Sequence, residues 1–140
     1  QAGVRPTVVY TAGDLTLRAG LESYKQNAIS YTGFGLSAGY ALNKDANVNV
    51  NFAAVDGDSK DADKSSFGIN LVYGPAGIGF VKDSTDAFAG LGKTDMNTVY
   101  AAYSIPLMGV KGATVTPAFS YSEADGKDMT ALRVRFNYAF

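Results

Sequence analysis

The sequence has no cysteine, no histidine and no tryptophan. Without thiols there are no disulfide staples, zinc–thiolate sites or iron–sulfur clusters. Without imidazole the usual general base and the commonest metal ligand are gone. An excess of one charge is also missing: 12 Lys plus Arg against 13 Asp plus Glu leave −1. No basic stripe can therefore neutralise phosphates, and no nucleic-acid partner is expected. No window reaches the roughly 18 unbroken apolar residues that a spanning helix requires. The opening Gln1-Ala2-Gly3-Val4-Arg5-Pro6 has neither the basic head nor the apolar core of a secretory signal. The expectation is a trimmed mature product or a piece of something longer.

What the chain does have is glycine, aromatics and a hydrophobic period of two. Its 140 residues suit one domain, and 16 Gly with 9 Tyr and 8 Phe lean toward strands joined by turns. In the last segment Thr130, Leu132, Val134, Phe136, Tyr138 and Phe140 share one parity, and Ala131, Arg133, Arg135, Asn137 and Ala139 the other. A helix would scatter both sets, whereas a strand puts one on each face. The same alternation returns at 15–22, 33–42, 48–54, 67–74, 76–80, 98–107 and 113–122, with a shorter run at 7–11, which makes nine strands. Tight turns are expected at Ala12-Gly13-Asp14, Asn43-Lys44-Asp45, Gly74-Pro75 and 108–111. Longer polar stretches are expected at 24–30, 56–66, 83–95 and 123–128, giving a meander with unlike ends.

Alternation alone also fits a soluble sandwich, with its apolar face inward. The charge map argues otherwise. All eight lysines fall in turns, loops or at strand ends, and among the acids Glu22 is the clear exception to that rule. A water-facing sheet normally carries Lys, Glu and Thr along its length. Here the polar face holds Gly, Ser, Thr, Asn and a few Arg. Tyr40, Phe52, Phe67, Tyr73, Phe80, Tyr121, Tyr138 and Phe140 lie toward strand ends, where a membrane interface favours aromatic rings. The apolar face is therefore read as lipid-facing. Strands survive in lipid only when every backbone group is paired, which requires a closed barrel.

Short turns on one side, polar loops on the other, and a final strand ending on an aromatic residue resemble the C-terminal part of a bacterial outer-membrane porin. The resemblance implies an all-β antiparallel transmembrane β-barrel in the outer membrane, a pore for ions and small hydrophilic solutes, and no enzyme. It implies that Leu132, Val134, Phe136, Tyr138 and Phe140 form the signal read by the barrel-assembly machinery. It also puts the C-terminus and short turns on the periplasmic side, so that nine strands would begin outside. Single-chain bacterial barrels have even strand numbers, and a barrel of about eight strands must fill its interior with side chains. The small inward set, with Gly33, Gly35, Ser37 and Gly39, cannot do that. The expectation is therefore one segment, 1–140, forming about nine strands of a larger barrel. Its partners would be outer-membrane lipid, the remaining strands from the same parent polypeptide or another chain, and a homo-oligomer. An eight-stranded closed barrel stays open as an alternative.

The candidate pore-lining residues are Arg18, Glu22, Asn49, Asn51, Asn70, Arg133, Arg135 and Asn137. Lumen cations would favour anions; a structural salt-bridge network is the other reading. The asparagines would line a path for neutral solutes or simply hydrate the wall. The loop from Asp56 to Asp63 has a spacing faintly like a calcium loop. It lacks the terminal bidentate Glu and carries Lys60, so a solvated loop is preferred and no metal or cofactor is assigned. A structural barrel tying the outer membrane or a surface layer to the cell wall is the alternative function, and a soluble sandwich the third.

Overall fold

A computed structural model describes residues 2–26, 29–58, 63–86, 92–107 and 109–139. Its strands are β1 (Ala2–Val4), β2 (Thr7–Ala12), β3 (Leu15–Gln26), β4 (Ile29–Asn43), β5 (Ala46–Gly57), β6 (Lys64–Tyr73), β7 (Ala76–Thr85), β8 (Thr94–Tyr103), β9 (Ile105–Pro106), β10 (Ala113–Ala124) and β11 (Lys127–Tyr138). All belong to one antiparallel sheet, ordered β1-β3-β4-β5-β6-β7-β8-β10-β11, with β2 also on β3 and β9 also on β10. Because β1 and β2 share a partner, as do β8 and β9, the eleven segments occupy nine places across the sheet. The breaks fall at Arg5-Pro6 and at Ser104. A proline has no N–H to give the ladder, which accounts for the first. The nine-strand reading thus matches the sheet, and its order is the expected meander.

The strands are longer than their apolar alternation. Two of the four stretches expected as long loops are largely ladder: β3 and β4 pair as far as Gln26 and Ile29, and β10 and β11 as far as Ala124 and Lys127. Only Asp125-Gly126 connects the latter pair, and both residues have positive φ, 50° and 71°. That is the conformation of a two-residue hairpin turn, which Asp-Gly adopts readily. Backbone pairing needs no apolar side chain, so the ladders continue where the hydrophobic pattern stops.

Register puts the two parities on opposite faces throughout. One transverse row runs Tyr10, Leu17, Ala38, Val50, Ile69, Phe80, Val99, Tyr121. On the other face a row runs Thr16, Gly39, Asn49, Asn70, Gly79, Tyr100, Ser120. The apolar face is the more exposed of the two. Along β8, Val99, Ala101 and Tyr103 are exposed while Thr98, Tyr100 and Ala102 are half-buried. Leu36, Ile78 and Phe119 are 52%, 56% and 49% exposed. Among the described residues the buried apolar side chains are only Ala46 and Ala113, and no large side chain is fully buried.

The surface area agrees. A compact monomer of 14.7 kDa exposes about 6,900 Å² by the usual scaling, whereas this chain exposes 10027 Å². Among the described residues there is no second layer and no dry centre. The sheet is also open: among the described residues no ladder joins β11 to β1 or β2. Every residue of β2 and β11 is exposed on both faces.

Candidate functional site

The polar face carries the candidate chemistry. Arg18, Glu22, Asn49, Asn51, Asn70, Arg133, Arg135 and Asn137 all lie on it, as their cross-strand partners require. The structure does not draw them into one cluster. Asn49, Asn51 and Asn70 sit together on β5 and β6, whereas Arg133, Arg135 and Asn137 lie on the edge strand β11 and Arg18 and Glu22 on β3.

The asparagines form a hydrogen-bonded set, and sequence spacing had not singled out Asn47 as a member. The Asn49 amide nitrogen donates to Asn47 Oδ1 at 2.9 Å and to Asn70 Oδ1 at 3.0 Å. Asn47 and Asn49 share a face because they are two apart, and Asn70 is Asn49's direct partner across the ladder. The glycines opposite make room for these amides. A Cβ on Gly39 would stand 2.8 Å from Asn49 Oδ1, and one on Gly68 would stand 2.7 Å from Asn51 Oδ1. Farther along the same row Tyr100 lies across Gly79, so closely that a Cβ there would clash with the phenol. Tyr100 also had no place among the sequence candidates. The alternation puts Tyr100 on the polar parity with Thr98 and Ala102, whereas the aromatic border residues stand on the other.

The charged residues behave differently from a salt-bridge network. Glu22 pairs with Arg5, Nε to Oε2 at 2.9 Å, and not with Arg18 on its own strand. Among the described residues Arg18, Arg133 and Arg135 have no carboxylate partner. Hydroxyl pairs join neighbouring strands instead: Thr98 and Ser122 are 2.8 Å apart, and Ser104 and Thr116 3.0 Å apart. The Asn137 amide donates to Thr114 Oγ1 at 3.4 Å.

The acids gather at the long-loop end. Asp58 Oδ1 accepts from the Ser30 N–H at 2.9 Å, and Asp63 Oδ1 from the Gly57 N–H at 3.3 Å. A hydrogen bond to Asp63, with that residue's charge, raises the Asp56 carboxyl above its ordinary value; some desolvation adds to this. At Asp95 the hydroxyl of Ser84 donates at 2.6 Å and lowers the carboxyl, helped by Lys93 and Lys82 against a desolvation effect of opposite sign. Residues 59–62 of the calcium-like loop lie outside the described residues. Among the described residues no group of carboxylates is arranged to hold a metal ion.

Of the expected assembly signal, Leu132, Val134, Phe136 and Tyr138 occupy the apolar parity of β11 and are 74%, 50%, 73% and 61% exposed. Phe140 lies outside the described residues. Aromatic rings stand at both borders of the apolar face: Phe34, Phe52 and Phe67 toward the longer loops, with Phe34 and Phe52 5.6 Å apart, and Tyr73 and Tyr103 beside the Gly74-Pro75 turn. Comparison with known proteins finds no matching family model, no matching curated protein and no matching solved structure.

Proposed function

We propose that this chain is a wall segment of an outer-membrane β-barrel pore, its apolar face against acyl chains and its polar face lining a water-filled path for ions and small hydrophilic solutes. The observation that carries this reading is the inverted exposure. The large apolar side chains sit on the more open face, and among the described residues only Ala46 and Ala113 are buried apolar side chains. A lipid phase is the solvent in which such a face costs nothing to expose. The open edges support the further reading that more strands complete the barrel. Among the described residues no strand lies beyond the outer edges of β2 and β11, and backbone N–H and C=O groups left unpaired in hydrocarbon would each cost several kcal/mol. The strands would come from the same parent polypeptide or from another chain, and the exposed ladder of Leu132, Val134, Phe136 and Tyr138 would be presented to the assembly machinery.

Small, mostly uncharged side chains on the polar face suit a wide aqueous wall better than a plugged one. Planar-bilayer recording of the membrane-inserted protein tests the pore. Discrete conductance steps are expected. A protein that inserts and never conducts contradicts the pore and favours a structural barrel anchoring the envelope. A chain that stays monomeric in plain buffer without detergent contradicts both.

A further inference from the structure

We infer that the row Asn49, Asn70, Gly79 and Tyr100, flanked by Asn47, is a binding platform for a neutral polyhydroxylated solute, a short saccharide. It rests on the reading of the polar face as the solute path and names what that path holds on to.

Register brings these residues together. Asn49 pairs with Asn70, Asn70 with Gly79, and Gly79 with Tyr100, so four adjacent strands present them in one line. Neighbouring strands stand about 4.8 Å apart, so the line is roughly 15 Å long, the span of two or three pyranose rings. The hydrogen bonds fix what each amide offers. Both side-chain hydrogen bonds of Asn49 use its nitrogen, which leaves its oxygen an acceptor without a partner among the described residues. Asn47 and Asn70 accept through their oxygens, and their NH₂ groups donate to no other described residue. The platform therefore offers donor, acceptor and donor within a few ångström.

That pattern selects for a ligand class. A hydroxyl both donates and accepts, so vicinal hydroxyls can satisfy all three amides at once. A sulfate or a phosphate monoester dianion only accepts and would be left facing the Asn49 oxygen. The row itself carries no ionised side chain; Arg18 stands on the neighbouring row, paired through Ser37 to Asn51. The aromatic member adds the other half of carbohydrate recognition. The Tyr100 phenol lies against Gly79, and the residue is only half-buried, which leaves part of it open to solvent. A flat apolar ring beside a few fixed polar groups is how concave sites orient small ligands. The C–H face of a sugar ring would pack on Tyr100 while its hydroxyls reach Asn70 and Asn49.

Saturation-transfer NMR on the full chain refolded in detergent tests the platform, with maltotriose as neutral probe and glucose 6-phosphate as charged probe. Transfer to the ring C–H protons of maltotriose is expected, and weaker transfer to the phosphorylated sugar. Tyr100→Phe should keep affinity within about twofold, while Tyr100→Ala and Asn70→Leu should each weaken it about tenfold. Far-UV circular dichroism checks that each variant keeps its sheet, and Asn49→Ala replaces any variant that does not refold. Absence of transfer to the wild-type chain overturns the proposal, and so does transfer that none of these substitutions changes. The measurement needs no conduction. A chain that conducts without binding sugar loses the platform alone, and one that binds sugar without conducting loses the pore alone.

Discussion

Tyr24 and Tyr31 stack across the β3–β4 ladder, their ring centroids 4.8 Å apart and their planes inclined by 14°. They are direct cross-strand partners on the polar parity, two pairs from the last rung of the hairpin at Gln26 and Ile29. The stack holds together a segment that carries no hydrophobic alternation.

A double-mutant cycle with Tyr24→Ala and Tyr31→Ala should give a coupling of about 0.5–1.5 kcal/mol by denaturant titration in detergent. Purely additive effects would show that the stack contributes nothing beyond each residue's own burial.

This hairpin also shows where sequence reading succeeded and where it stopped. Parity was legible in every strand but the first, where Val8-Val9 blurs it, because a sheet with one apolar and one polar face writes a period of two into the chain. Strand ends were not. Tyr24, Lys25 and Ser30 read as loop because the pattern had become polar, yet backbone hydrogen bonds carry the ladder past them. The polar face was legible as a face: all eight candidate lining residues fall on it. Their pairings were not legible: Glu22 pairs with Arg5 at a break in the edge strand, Tyr100 joins the asparagine row through register alone, and Asn47 joins it by a hydrogen bond from Asn49 two residues along. Spacing along one strand cannot report which residue of the next strand stands opposite.

The middle of the apolar face should reject charge. Val99→Arg lies in the row of Val50, Ile69 and Phe80. At bilayer mid-depth it should cost about 2–4 kcal/mol of folding free energy in lipid vesicles. Ala131→Arg, at the same depth on the exposed polar face of β11, should cost under about 0.5 kcal/mol. Equal costs at the two positions would contradict the facing of the sheet.

Arg133 and Arg135 should matter to ions and not to stability. Neither has a carboxylate partner among the described residues, so Arg133→Gln with Arg135→Gln should change folding free energy by less than about 0.5 kcal/mol. Reversal potentials under a salt gradient should move toward cation preference, because fewer lumen cations remain to favour anions. A stability loss with unchanged selectivity would make the pair structural.

The Asp56–Asp63 contact should be strongest in acid. Its proton is held above the ordinary carboxylate value, here 3.8, so the folded chain keeps a proton that the unfolded chain releases. The contact is fully formed below that value and is lost as pH rises through the raised one. Carboxyl-carbon NMR titration should show Asp56 returning to its ordinary value or below in Asp63→Asn. An unchanged titration would mean that Asp63 is not the cause. Asp95 has the opposite sign, since the Ser84 hydroxyl favours its ionised form, and Ser84→Ala should raise it.

The absence of cysteine makes the decisive measurement direct, because single-cysteine spin labels can be placed without background. Labels at each position from Thr98 to Tyr103, in protein reconstituted into vesicles, report collision with oxygen, which concentrates in lipid, and with a water-soluble nickel chelate. The account predicts strict alternation: positions 99, 101 and 103 open to oxygen, positions 98, 100 and 102 open to nickel. Odd positions closed to both reagents would mean that the apolar face is packed against protein, and would contradict it.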